Sequence, residues 1–263
     1  MGWRDGLRRV LGQPPTSPHA GEVVEPPTGC TSFHLWWTGV EGKEAIVEAS
    51  AVLEVLQEPA SRRLYFWALQ ASFTDAGHRN FGAAHIGLQW NPRHANSRAV
   101  NWGGYAVPED VSSVLDGTDS AIPSTVVDPN TRDFPWRAGT PYRFMISKAP
   151  VGWRGDVTDL TTGVSTHIRD LYAHGDQLVG FVVWAEVFAA CTDPEAAVRW
   201  SDLQVRTASG AVRRPDRVRL TMPVGGCTNT TVVIDDVGLV QVSGTERTVR
   251  DGAVLPVRAR PSA

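Results

Sequence analysis

About ten to twelve short strand-like runs, each cut off by Gly, Pro, Asn or Asp, constrain what this chain can fold into more than any other feature. The clearest are Leu64 to Phe73, His85 to Trp90, Tyr142 to Ser147 and Phe181 to Phe188. Residues 45 to 56 alternate at Val47, Ala49, Ala51, Leu53 and Val55, and read as a strand although Ala, Glu and Leu also favour helix. Trp153 to Leu160 and Val164 to Arg169 flank Thr161-Thr162-Gly163, the pattern of a hairpin. Thr231 to Ile234 and Leu239 to Val242 form a similar pair, and Phe181 to Phe188 is expected to pair with Ala197 to Val205. Long helical periods do not alternate with these runs, which argues against a parallel α/β sheet, and no fixed repeat suggests a propeller.

The expected fold is all-β, an antiparallel two-sheet sandwich of jelly-roll type over residues 30–250. Ahead of it, Trp3, Leu7, Val10 and Leu11 fall at helical spacing, so residues 1–12 read as a short amphipathic helix. Residues 13–29 read as a linker, because five prolines block regular structure there. Residues 91–140 look loop-rich, and residues 251–263 look like a tail.

A formal charge of −3, without a basic stripe, gives nucleic acid no footprint. The longest nearly apolar run, Phe181 to Cys191, is too short for a transmembrane segment. No apolar stretch follows the basic residues at the start, so the expected location is the cytoplasm. Oligomeric state leaves no trace in the sequence. Cys30, Cys191 and Cys227 contain no CxxC pair, so no metal site is expected. Cys191 and Cys227 both follow strand-like runs; they could be bridged or remain separate buried thiols. Ten tryptophans are many for this length, and sandwich core is their simplest use.

Nucleotide, phosphate-loop, zinc-protease and nucleophile-elbow motifs are all missing, and no cofactor is implied. Strand parity is more informative. Gln70 lies opposite the Tyr65, Trp67, Leu69 stripe, while His85 and Gln89 lie opposite Ile86 and Leu88. In Phe181 to Phe188, Trp184 and Glu186 share the side away from Phe181, Val183 and Val187. Gln70, His85, Gln89, Trp184 and Glu186 are therefore expected on one sheet face as a ligand surface. A Trp beside a carboxylate suits a sugar, the ring stacking and the acid taking hydroxyls, so a carbohydrate-binding sandwich is the leading expectation. The plainer alternative is a core Trp with a satisfied N–H. Catalysis is a secondary expectation: Glu186 and Asp202, if their strands pair, would make a glycan-cleaving hydrolase or lyase. A structural or interaction module without a small-molecule ligand is the third.

The stretches YFWALQASF, HIGLQW, FPWRAGTPYRF and GWRGDVTDL resemble uncharacterised bacterial proteins of unknown function. More distantly they are similar to concanavalin A-like lectin and glucanase jelly rolls, over roughly residues 60 to 205. That resemblance implies a two-sheet sandwich with a ligand groove on one sheet, and it carries over no catalytic residue.

Overall fold

The computed structural model describes residues 31–107, 110–222 and 226–257. The helix and linker expected within residues 1–29 lie outside the described residues. The rest is an all-β sandwich of two antiparallel sheets, with a single 3-10 turn, Ala95–Ser97, as its one helical element among the described residues.

The first sheet contains β1 (Thr31–Thr38), β3 (Tyr65–Thr74), β4 (Asn80–Trp90), β5 (Arg98–Val107), β6 (Asp110–Val114), β7 (Thr131–Asp133), β11 (Gln177–Val187), β14 (Arg217–Thr221) and β17 (Val254–Pro256). Its order is β17-β14-β1-β11-β3-β4-β5-β6, with β7 also paired to β5. The second contains β2 (Ile46–Gln57), β8 (Pro141–Lys148), β9 (Trp153–Asp159), β10 (Ser165–Leu171), β12 (Ala196–Thr207), β13 (Val212–Arg213), β15 (Thr230–Ile234) and β16 (Leu239–Ser243). Its order is β10-β9-β8-β2-β12-β16-β15, with β13 on β12.

Alternation explains the layering. Leu35, Trp67, Leu69, Ile86, Trp102 and Val183 point inward from the first sheet and meet Leu53, Phe144, Trp153 and Trp200 from the second, all in one core. The tryptophans serve as expected: Trp37, Trp67, Trp102, Trp136, Trp153 and Trp200 are buried in that core. The hairpins β9–β10 and β15–β16 form where the turn residues place them.

Three features depart from the sequence reading. First, β11 and β12 do not pair: β11 lies between β1 and β3, whereas β12 lies between β2 and β16 in the other sheet. Second, the register of β12 against β2 shifts between Ser201 and Gln204, and Asp202 adopts φ +47°. This bulge breaks alternation, so Trp200 and Leu203 both face the core while Asp202 turns outward. Third, the loop-rich stretch 91–140 holds β5, β6 and β7, and Val254–Pro256 of the supposed tail pairs with β14.

Cys191 and Cys227 form a disulfide with a Cα–Cα distance of 5.5 Å, resolving the two alternatives left by the sequence. The bridge ties the chain just after β11 to the segment before β15. No helix among the described residues is long and apolar enough to cross a membrane.

Candidate functional site

Pairing of β1, β11, β3, β4 and β5 sets out rungs across the outer face of the first sheet. One rung runs Ser32, Glu186, Phe66, Gln89. The next runs His34, Trp184, Ala68, Gly87, Asn101, and the third Trp36, Val182, Gln70, His85, Gly103. All five residues singled out by parity, Gln70, His85, Gln89, Trp184 and Glu186, line one cavity of about 350 Å³ on this face. Gly103 and Gly104 line it without side chains, and longer side chains around them make its walls.

Glu186 is half-buried and has no hydrogen-bond partner among the described residues. Burial pushes its carboxyl above the usual carboxylate range, since the charged form loses hydration that no nearby donor replaces. Desolvation also lowers His34, and it lowers His85 to about 4, so both imidazoles stay neutral near pH 7. No lysine or arginine lines the cavity among the described residues.

Gln89 shares the rung of Glu186, two strands away across Phe66, or about 9.5 Å between backbones at ~4.8 Å per strand. Its amide is oriented by a chain of donors. The Arg93 N–H donates to Asn91 Oδ1 at 3.1 Å, which leaves Asn91 Nδ2 to donate to Gln89 Oε1 at 2.8 Å. Gln89 Nε2 therefore remains a donor without an acceptor among the described residues, on a residue only 6% exposed.

Trp184 does not stand as a platform. It is 4% exposed, packs edge-on to Phe66 at 4.9 Å and to His85 at 5.6 Å, and donates from Nε1 to Gln70 Oε1 at 3.2 Å. With Phe66, Ala68 and Val182 it forms a small apolar cluster on the outer face, with Trp36 packed beside it. A sugar cannot stack on a ring whose faces are already covered.

The Glu186–Asp202 pair is also absent. Asp202 sits on the other sheet, where the bulge directs its carboxylate to Arg143 at 2.6 Å and Arg214 at 3.6 Å. The cavity wall does contain a second carboxyl, Asp128, at the far rim. Asp128 Oδ1 accepts from the Asn130 and Thr131 N–H groups, and Thr131 pairs with Asn101 four strands from β11. That is about 19 Å between backbones, so Asp128 stands at the opposite end of the cavity from Glu186.

Asn101, Asp128 and Asn130 are wall residues that the sequence reading missed, because they fall in the stretch taken for loop. Their signal was present in β5, where Val100 and Trp102 alternate with Asn101 and Gly103. The Gly103-Gly104 pair hid it by resembling a turn.

No family model and no curated protein matches the chain. Among solved structures, the chain is similar to Scytalido-glutamic peptidase with a peptide-based transition-state analogue, at 10% identity and TM-score 0.42. It is also similar to SCP-B, a member of the Eqolisin family of peptidases, in complex with the tripeptide Ala-Ile-His, at 10% identity and TM-score 0.45. Each alignment covers 84% of this chain and 99% of the other. Trp184 is packed where a sugar platform was expected, so the carbohydrate-binding expectation is overturned.

Proposed function

We propose that this protein is a hydrolase of acyl compounds, amides or esters, with Glu186 as the proton-transferring group and Gln89 as the oxyanion donor. The observation that carries the reading is a partnerless, half-buried carboxyl on the same rung as an amide N–H₂ turned toward the same cavity. A carbonyl laid over Phe66 lies between them. Glu186, as carboxylate, takes a proton from a water molecule, and the resulting hydroxide adds to the carbonyl carbon. The carbonyl π electrons move to oxygen, and Gln89 Nε2–H donates to the oxyanion. The tetrahedral intermediate re-forms its carbonyl, the carbon–nitrogen or carbon–oxygen bond breaks, and Glu186 returns its proton to the leaving group.

Acyl transfer fits this face better than glycoside cleavage, which requires two carboxyls within about 10 Å. The Cys191–Cys227 bridge is better matched to an oxidising compartment than to the cytoplasm expected from the N-terminus.

The test is incubation of purified protein with three panels: quenched fluorogenic peptides, short-chain esters and oligosaccharides. Products are identified by mass, and Glu186→Gln serves as the control. Cleavage of a peptide or ester that Glu186→Gln does not perform supports the reading. Cleavage confined to oligosaccharides, or no cleavage in any panel, counts against it.

A further inference from the structure

Beyond the Glu186 rung, two amides at the other end of the cavity are each turned by a neighbour that can only donate. The Trp184 indole N–H reaches Gln70 at 3.2 Å, so the atom it meets is Oε1 and Nε2 is the free end. Arg169 Nη1 donates to Asn130 Oδ1 at 3.0 Å, which leaves Asn130 Nδ2 free in the same way. Neither Gln70 Nε2 nor Asn130 Nδ2 has an acceptor among the described residues, and both side chains line the cavity.

The Gln70 rung ends at Gly103, and the Asn130 side chain packs against that glycine. Gln70 pairs with His85 and His85 with Gly103, and a methyl group added to Gly103 would come within 2.7 Å of Asn130 Cγ. Asn130 is thus seated on β5 in a space that only glycine leaves open.

Arg169 is an odd residue to find behind it. It is 2% exposed, forms no ion pair among the described residues, and its Nε has no partner. Asp116, Asp119 and Asp128 offset part of the cost of burying this guanidinium, although none is close enough for an ion pair. What it does accomplish is to hold Asn130 in one orientation. The rung itself carries no cation, and the carboxylate of Asp128 lies beside Asn130. Its complement is therefore a neutral acceptor, a carbonyl, rather than a carboxylate.

We propose that Gln70 and Asn130 form a donor pair that receives a backbone carbonyl of an extended peptide substrate, with Trp184 and Arg169 as positioning residues. The assignment deepens the acyl-hydrolase reading and rests on it for the place of the scissile bond. Val182, on the Gln70 rung, and Glu186 are four positions apart on β11, about 13 Å at ~3.3 Å per residue. An extended peptide covers that span in about four residues. The substrate class is then a peptide reaching at least that far from the bond cleaved, rather than a small ester.

Two substitutions isolate the donors. Asn130→Asp retains an acceptor for Arg169 and loses the N–H₂, and Gln70→Glu does the same with respect to Trp184. Both are made in the Glu186→Gln protein, so that nothing is turned over, and N-acetyl-hexaalanine amide is titrated while side-chain amides are followed by NMR. The expected result is a shift of the Gln70 and Asn130 side-chain amide signals in the parent, with Kd raised about tenfold in each variant. Arg169→Met should weaken binding similarly and Arg169→Lys should restore most of it. Unperturbed side-chain amides, or equal Kd in parent and variants, would overturn the donor pair. Equal Kd in Arg169→Met and Arg169→Lys would remove Arg169 from the assignment. The titration needs no turnover, so its failure is distinct from failure of the hydrolysis assay to detect cleavage.

Discussion

Trp184 and Glu186 are two residues apart on one strand and share a face, yet packing and desolvation treat them oppositely. Trp184 is enclosed by Phe66, His85 and Val182, and its N–H is satisfied by Gln70. Trp184→Ala should therefore cost about 3 to 5 kcal/mol, as truncation of a core aromatic does, measured by denaturant unfolding. A loss under about 1 kcal/mol, the size of an ordinary surface change, would show that the ring is not packed as described. Glu186 pays for its position. Its pKa is raised by burial, so the folded protein holds that proton more tightly than the unfolded chain does. Stability linked to this group is fully present below the unfolded-state pKa and is lost as pH rises through the folded-state value. Glu186→Gln should accordingly raise Tm at pH 7 and lose that advantage at a pH below the unfolded carboxyl pKa. A variant less stable than the parent at pH 7 would mean that Glu186 has a favourable partner.

Strand β11 shows what periodicity can and cannot reveal at the scale of elements. Its alternation was clean enough to place Trp184 and Glu186 on the side opposite Phe181, Val183 and Val187, and Gln70, His85 and Gln89 followed by the same rule on β3 and β4. Those five residues line one cavity because a strand has only two faces. Partner choice has no such local signature. Consecutive strands usually neighbour each other, but β11 and β12 went to different sheets, and the bulge at Asp202 then reversed the parity that β12 would otherwise have kept. The short connection between these two strands is pinned by Cys191–Cys227, which closes a separation of 36 residues. In the chain-entropy model a loop of that length stabilises the fold by about 4 kcal/mol. Reduction with a phosphine should lower the unfolding free energy by roughly that amount. Unchanged unfolding after complete reduction would show that the bridge contributes little beyond what the ladders already fix.

The whole molecule is legible from its sequence at the level of class, and less so at the level of site. Many short alternating runs and abundant tryptophan dictate a sandwich, because each strand must bury one face and the large rings fill the space between sheets. The cavity's far wall was not legible. Asn101, Asp128 and Asn130 come from a stretch whose glycines and prolines suggest loop, and only the pairing of β5 to β4 and of the neighbouring β7 to β5 brings them to the face. Parity places Trp184 on the outer side of its sheet but does not say whether neighbouring rings cover it, and the packed alternative with a satisfied N–H is the one the structure shows. With the sugar platform gone and Asp202 elsewhere, one carboxyl and one amide on a single rung, Glu186 and Gln89, are left to carry the chemistry. The direct measurement is kcat on a peptide or ester that the parent protein cleaves, compared in Glu186→Gln and Gln89→Leu proteins shown to be folded. The account predicts losses of about 10²- to 10⁴-fold for Glu186→Gln and about 10²- to 10³-fold for Gln89→Leu. Hydrolysis at the parent rate by the Glu186→Gln protein would contradict it.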